Sequence, residues 1–365
     1  MAPRPARPHR PDRCTPPPAR AALAALAALL LTGTKSYGQE HAHGHADQQL
    51  GKVRFPTSCN AAARQAFERA VAMLHSFWFD EAERTFQAAA AADPRCAMAH
   101  WGIAMTLWGN PMARANPPAE RQQRALEEAR RAAELARAAG TSDRERGYIE
   151  AVLALYRDFE RADHLTRMRR HEEALRALYE RHPDDPEAAI FYARMVVANA
   201  PPEDLTFARQ RLAASILEPL FRAQPEHPGL AHYLIHAYDA PPIARHGLEA
   251  ARRYAAIAPS APHALHMPSH IFTRIGYWEE SIETNRRSAR AEPDSNAAVH
   301  PMDYMVYAYL QRGQDGEAAR VVARAVALPD RFYGGLNGYN FAAMPARLAL
   351  EQPASPVVAT GASAT

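Results

Sequence analysis

The chain has 365 residues, 47% hydrophobic and 23% charged, which supplies a sizeable core and excludes a wholly disordered polymer. Alanine and arginine are abundant, β-branched residues are sparse and strand-like alternation is almost absent, so the expected class is all-α. The formal net charge is only +3, and its distribution matters more than its sum.

The first 38 residues stand apart. Arg4, Arg7, Arg10, Arg13 and Arg20 precede the apolar run "AALAALAALLLTGT", followed by "KSYGQE". A basic start, an apolar stretch short for a bilayer and small residues before a cut near Gly38 read as a secretory signal peptide over 1–38. The alternative is a signal anchor that is never removed. Cys14 precedes the apolar run, which is the wrong side for a lipoprotein cysteine. The segment carries +5 of the formal total of +3, leaving −2 for the rest. The remaining chain therefore offers no electrostatic case for nucleic acid. The expected product is exported, periplasmic or secreted, with no stable membrane span after signal removal.

Residues 39–58 read as a flexible, histidine-containing segment. Its "HAHGH" (41–45) is either a metal-capturing tract or a plain linker. Cys59 then precedes the first expected helix and Cys96 follows the second. Those two ends meet in an antiparallel pair, so a disulfide or two separate buried thiols are both open.

From there the chain repeats. "FWFDEAERTFQAAAAADP" (77–94) and "IGYWEESIETNRRSARAEP" (275–293) share an aromatic turn, a helix with small residues at helical spacing and a closing proline. "HGLEAARRYAAIAP" (246–259) and "GQDGEAARVVARAVALP" (313–329) repeat the second half. Pro225, Pro259 and Pro293 are spaced 34 residues apart, and less regular units lie at about 63–94, 97–137, 145–183 and 186–224. This pattern resembles the tetratricopeptide repeat. The resemblance implies a right-handed superhelical solenoid of antiparallel helix pairs over 59–351, with first helices lining a concave, ligand-binding face. The segments "HSFWFDEAERTF", "AMAHWGIAMTLWGNP", "HPGLAHYLIHAYDAPP", "APHALHMPSHIFTRIGYWEESI" and "MDYMVYAYLQ" are similar to a narrower group: exported bacterial tetratricopeptide proteins of poorly assigned function. Members of that group continue with further repeats past "MPARLALE". Here that stretch runs into "QPASPVVATGASAT", expected to be a disordered tail over 352–365.

In the 34-residue register, His232, His266 and His300 share the fifth position of three consecutive repeats. His236, His270 and Tyr304 share the ninth. Residues at i and i+4 lie on one helix face, so His232/His236 and His266/His270 are expected pairs. Asp239 and Asp303 fall in phase three residues beyond His236 and His300. Imidazoles from helices packed about 8–10 Å apart could meet at one metal ion. The carboxylates would bind it directly or orient the rings. Pro268 separates His266 from His270 and Pro301 follows His300, so a helix starting at Pro268 would leave His263 and His266 on the preceding loop. His263 is a sixth candidate ligand. His75 and His100 are further candidates that could equally be packed beside Trp78 and Trp101. Tyr238, Tyr304 and Tyr307 could line a pocket or belong to the core.

An imidazole-rich site suits zinc, copper, nickel or iron, and no H-E-x-x-H protease signature or glycine-rich phosphate loop is present. Three functions follow. A metal-dependent hydrolase or oxidoreductase would use Asp239, Asp303 or Tyr304 for proton exchange with bound water. A metal-free scaffold would grip a peptide, protein or small molecule in the same groove. A metal-sequestering protein would combine the ladder with "HAHGH". Convergence of the ring nitrogens around an enclosed pocket favours metal, and histidines strung along an open groove favour a peptide.

Overall fold

The computed structural model describes residues 48–137, 140–293, 295–328 and 335–351. The expected signal segment, Cys14, "HAHGH" and the tail lie outside the described residues. The helices described all belong to one unit, Gln49–Thr365. Seven antiparallel helix pairs follow in order: α1 Ala61–His75 with α2 Phe79–Ala92, α3 Ala97–Trp108 with α4 Ala119–Leu135, α5 Asp143–Tyr156 with α6 His164–Arg181, and α7 Pro186–Ala198 with α8 Ala208–Ala223. Next come α9 Pro228–Tyr238 with α10 Leu248–Ile257, and the broken first helix α11 Pro262–His266 plus α12 Pro268–Arg274 with α13 Trp278–Ala291. The last pair is α14 Val299–Gln311 with α15 Asp315–Val326, capped by α16 Gly335–Glu351. There is no strand among the described residues. The all-α repeat solenoid expected from the 34-residue register is the observed architecture.

Prolines set both ends of these pairs. Pro186, Pro228 and Pro262 occupy the first helical position of α7, α9 and α11, where the missing N–H would have had no partner. At the other end, the residues before Pro94, Pro183, Pro225, Pro259 and Pro293 terminate second helices with φ between −127° and −144°. A proline pushes the residue ahead of it out of the helical region, so each second helix stops at a fixed place. Pro268 only interrupts its helix: Met267 keeps helical angles, φ −53° and ψ −35°. His266 and His270 therefore remain on one face.

Among the described residues, the concave face expected along the first helices is closed over the first five repeats. Helix α9 packs back against α1, and the space between is filled by side chains. Trp101 meets Phe191 at 5.5 Å between ring centroids, and Phe191 meets His75 at 4.9 Å. The described part of the expected flexible segment 39–58 also needs correction. Phe55 is fully buried against Trp101 and Tyr148, and the Lys52 amide donates to the Glu226 carbonyl at 2.9 Å. Gly51, at φ 80°, makes that close pass feasible, since a Cβ there would lie 2.5 Å from the same carbonyl. Buried aromatic area and backbone hydrogen bonds hold the segment as a strap running from the second and third repeats to the start of the fifth.

Cys59 and Cys96 form a disulfide with Cα atoms 4.8 Å apart. It ties the ends of the first helix pair across 37 residues of sequence. By loop-closure entropy such a link is worth roughly 2–4 kcal/mol. Reducing it is expected to lower Tm by roughly 5–15 °C, read by calorimetry with and without reductant.

Candidate functional site

The ladder histidines lie where two cores meet. One core runs from Leu50 to Phe272, and a smaller one is built from α13 to α16 around Val306 and Leu348. At this seam the histidines form two triads, not the single cluster expected from their register. His232, His236 and His263 make the first, and His266, His270 and His300 the second. Within each, one ring nitrogen per residue lies within 4.8 Å of the others.

In the first triad, His232 Nε2 is 3.1 Å from His236 Nε2 and 3.2 Å from His263 Nε2. His232 Nδ1 lies 2.6 Å from the His75 carbonyl oxygen. A carbonyl only accepts, so Nδ1 carries the hydrogen and Nε2 of the neutral ring is a bare lone pair. One in-plane lone pair cannot accept two N–H bonds well, whereas three lone pairs can share one cation. Phe77 walls this triad, its ring centroid 4.4 Å from that of His232 and 5.2 Å from that of His263.

In the second triad the tautomers are fixed twice. His266 Nδ1 donates to Asn285 Oδ1 at 2.6 Å, and the amide is oriented because Asn285 Nδ2 donates to the Ser281 carbonyl at 2.7 Å. His270 Nδ1 donates to Asp239 Oδ2 at 2.7 Å, whose other oxygen accepts from Arg274 Nε at 2.8 Å. Both remaining Nε2 atoms are then lone pairs, yet they face each other at 2.9 Å. A cation between them would relieve that repulsion. A shared proton would satisfy two nitrogens, while a metal ion also uses the third ring, His300. Asn340 Nδ2 lies 3.3 Å from His300 Nδ1, and Tyr304 OH lies 3.4 Å from His270 Nδ1.

Burial sets the charge state of these rings. Desolvation, reinforced by neighbouring imidazoles, pushes His232, His263 and His266 well below the ordinary histidine range. The same causes bring His236 to about 3 and His300 to about 4. All five favour the neutral form a metal requires. Burial works to raise Asp239, but His270 and Arg274 hold it down at about 2, so it stays a carboxylate and keeps His270 in one tautomer.

Asp239 thus orients the histidine of the next repeat, with both oxygens engaged. Asp303 is 4% exposed and pairs with Arg347 of α16. The hydroxyl of Tyr304 is raised, chiefly by burial. His300, Asp303 and Tyr304 line a cleft of about 600 Å³ together with Trp278, Tyr307 and Arg347, so the second triad borders open space. Tyr238 is drawn elsewhere, donating to Glu218 at 2.6 Å.

His100 is remote from both triads and pairs with Glu128 at 2.7 Å. His75 belongs to a third buried group with Glu187 and His227, and there the chemistry differs. His227 Nδ1 accepts from the Leu230 amide, so its Nε2–H donates to Glu187 Oε1 at 2.8 Å. His75 Nε2 bonds Glu187 Oε2 at 2.9 Å. That group is already satisfied by hydrogen bonds, whereas the triads direct lone pairs at one another.

Glu187, His227, Asn285, Asn340 and Phe77 were not anticipated. Phe77 had a signal: it adopts φ 54° at the turn where the sixth and seventh repeats place Gly276 and Gly313. The others are polar residues on scattered helices, or in the case of His227 at the cap of one, with no local pattern to mark them.

No family model matches the chain, and no curated protein matches it. Among solved structures it is similar to the crystal structure of the P58(IPK) TPR domain at 2.5 Å, with 12% sequence identity, 80% of this chain and 91% of that chain covered, and a TM-score of 0.21. That likeness assigns no role to any residue of the triads.

Proposed function

We propose that this chain is an exported transition-metal-binding repeat protein whose ions are held by the two histidine triads. The observation that carries the reading is the pair of Nε2 atoms of His266 and His270, 2.9 Å apart with both Nδ1 hydrogens committed elsewhere. Imidazole donors without thiolate or direct carboxylate suit zinc or copper. Three protein ligands leave a coordination position for water or substrate, and the cleft beside His300 makes metal-dependent hydrolysis or oxidation the natural extension. Export is supported by the basic-then-apolar first 38 residues and by the Cys59–Cys96 disulfide, which needs an oxidising compartment. A metal-free peptide scaffold is less well supported, because side chains fill the inner face of the first five repeats.

The test is metal content by plasma mass spectrometry on untagged protein starting at residue 39, expressed in the periplasm. A His232→Ala/His266→Ala variant and a version lacking residues 39–46 are measured beside it, each checked for helicity. Near-stoichiometric metal, lost in the double variant and retained without 39–46, is expected. Loss only with the N-terminal tract would move binding to "HAHGH". No metal even after reconstitution would sink the reading.

A further inference from the structure

We infer that the two triads form one dinuclear centre whose ions share a small bridging anion, an inference that rests on the metal-binding reading above. The rings of His236 and His270 have centroids 6.0 Å apart, and those of His263 and His266 5.9 Å. Within the triads the closest rings are 4.6–5.0 Å apart, and His270 and His300 are themselves 6.0 Å apart. The gap between triads is therefore no wider than the spread inside one of them. Rings this close put two ions, each on its own triad, within reach of one small shared ligand, the arrangement of two-metal centres, whose ions lie roughly 3.5–4 Å apart.

Charge points the same way. All six ligands are neutral imidazoles, so two divalent ions would bring a charge of about +4 into a mostly buried seam. The nearest carboxylate, Asp239, is spent on His270 and Arg274, and Asp303 is spent on Arg347. Neither ion has a protein anion in direct reach, and each keeps at least one position open. A hydroxide or similar small anion between the ions supplies both the missing charge and the missing ligand. The cleft at His300, with Arg274 and Arg347 on its walls, is the route by which such an anion arrives.

The experiment titrates metal-free protein with Cu(II), then with azide as the anion probe, following bound copper, electron paramagnetic resonance and the azide-to-copper optical band. Wild type is expected to take up about two coppers per chain. Azide should then bind once per copper pair and cut the integrated spin signal well below the copper content. His263→Ala and His300→Ala, verified as folded, should each hold a single copper with full spin intensity. Two coppers with undiminished spin after azide, or a single copper in wild type, would overturn the dinuclear centre and leave metal binding intact. No copper at all would overturn both readings.

Discussion

Acidifying the metal-free protein from about pH 7 to about pH 4 is expected to unfold it, and bound metal is expected to delay the transition. His171, His232 and His266 are at most 1% exposed. Burial brings His171 to about 3, although its ring donates to the Ala151 carbonyl at 2.7 Å. Burial and neighbouring rings take His232 and His266 well below the ordinary range. An unfolded histidine titrates near 6.5. Below that pH the unfolded chain takes up protons that the folded chain refuses, so stability is full above about 6.5 and falls as pH drops towards the folded-state values. Each such ring removes about 1.4 kcal/mol per pH unit, and three remove roughly 4. A native stability of roughly 5–15 kcal/mol is then exhausted within a few pH units. Metal competes with those protons for the same lone pairs at the triads, and saturation a hundredfold above Kd adds about 2.7 kcal/mol. Far-UV circular dichroism against pH, with and without two equivalents of zinc, should show the acid midpoint moving down by about half a unit or more. Superimposable curves would mean that zinc does not occupy the triads.

The parts of this site legible in the sequence are those set by periodicity. Pro225, Pro259 and Pro293 mark where second helices stop, and the same 34-residue spacing puts His232, His266 and His300 at one position of successive first helices. What periodicity could not settle is how the ladder divides. Each i, i+4 pair takes its third ring from the following repeat, but from different positions. His263, at the second position of its repeat, turns back to His232 and His236. In the next repeat that position is Ala297, and His300 at the fifth completes the second triad instead. The return of α9 onto α1 was equally illegible, because it joins residues such as His75 and His232 across 157 positions. No local pattern records such a contact. The strap at 49–58 was misread for a related reason: its polar composition suggests a linker, whereas the burial of Leu50 and Phe55 and hydrogen bonds to distant residues such as Glu226 hold it down.

The hydrogen-bonded group behind the first triad should be the most fragile point of the fold. Glu187 is 1% exposed and accepts from both His227 and His75. Burial alone would raise its carboxyl, yet those two imidazoles hold it well below the usual carboxylate range. Burial in turn lowers His75 despite Glu187, and the nearby Arg194 guanidinium adds to that lowering. Glu187→Ala removes the acceptor for two buried N–H groups at once and leaves a cavity. Breaking a buried charged network from one side costs about 3–5 kcal/mol, or roughly 6–20 °C in Tm. Glu187→Gln keeps the volume and one acceptor, so its loss should be smaller. The damage should also spread in one direction. The His75 carbonyl fixes the tautomer of His232 at 2.6 Å, whereas His266 and His270 are oriented by Asn285 and Asp239. Metal affinity in Glu187→Gln should therefore fall at the first triad and hold at the second, which chelator competition on the His263→Ala and His300→Ala backgrounds would resolve. Equal weakening at both would mean that His75 does not orient the first triad through this carbonyl. An unchanged Tm in Glu187→Ala would mean that this buried group adds nothing to the fold.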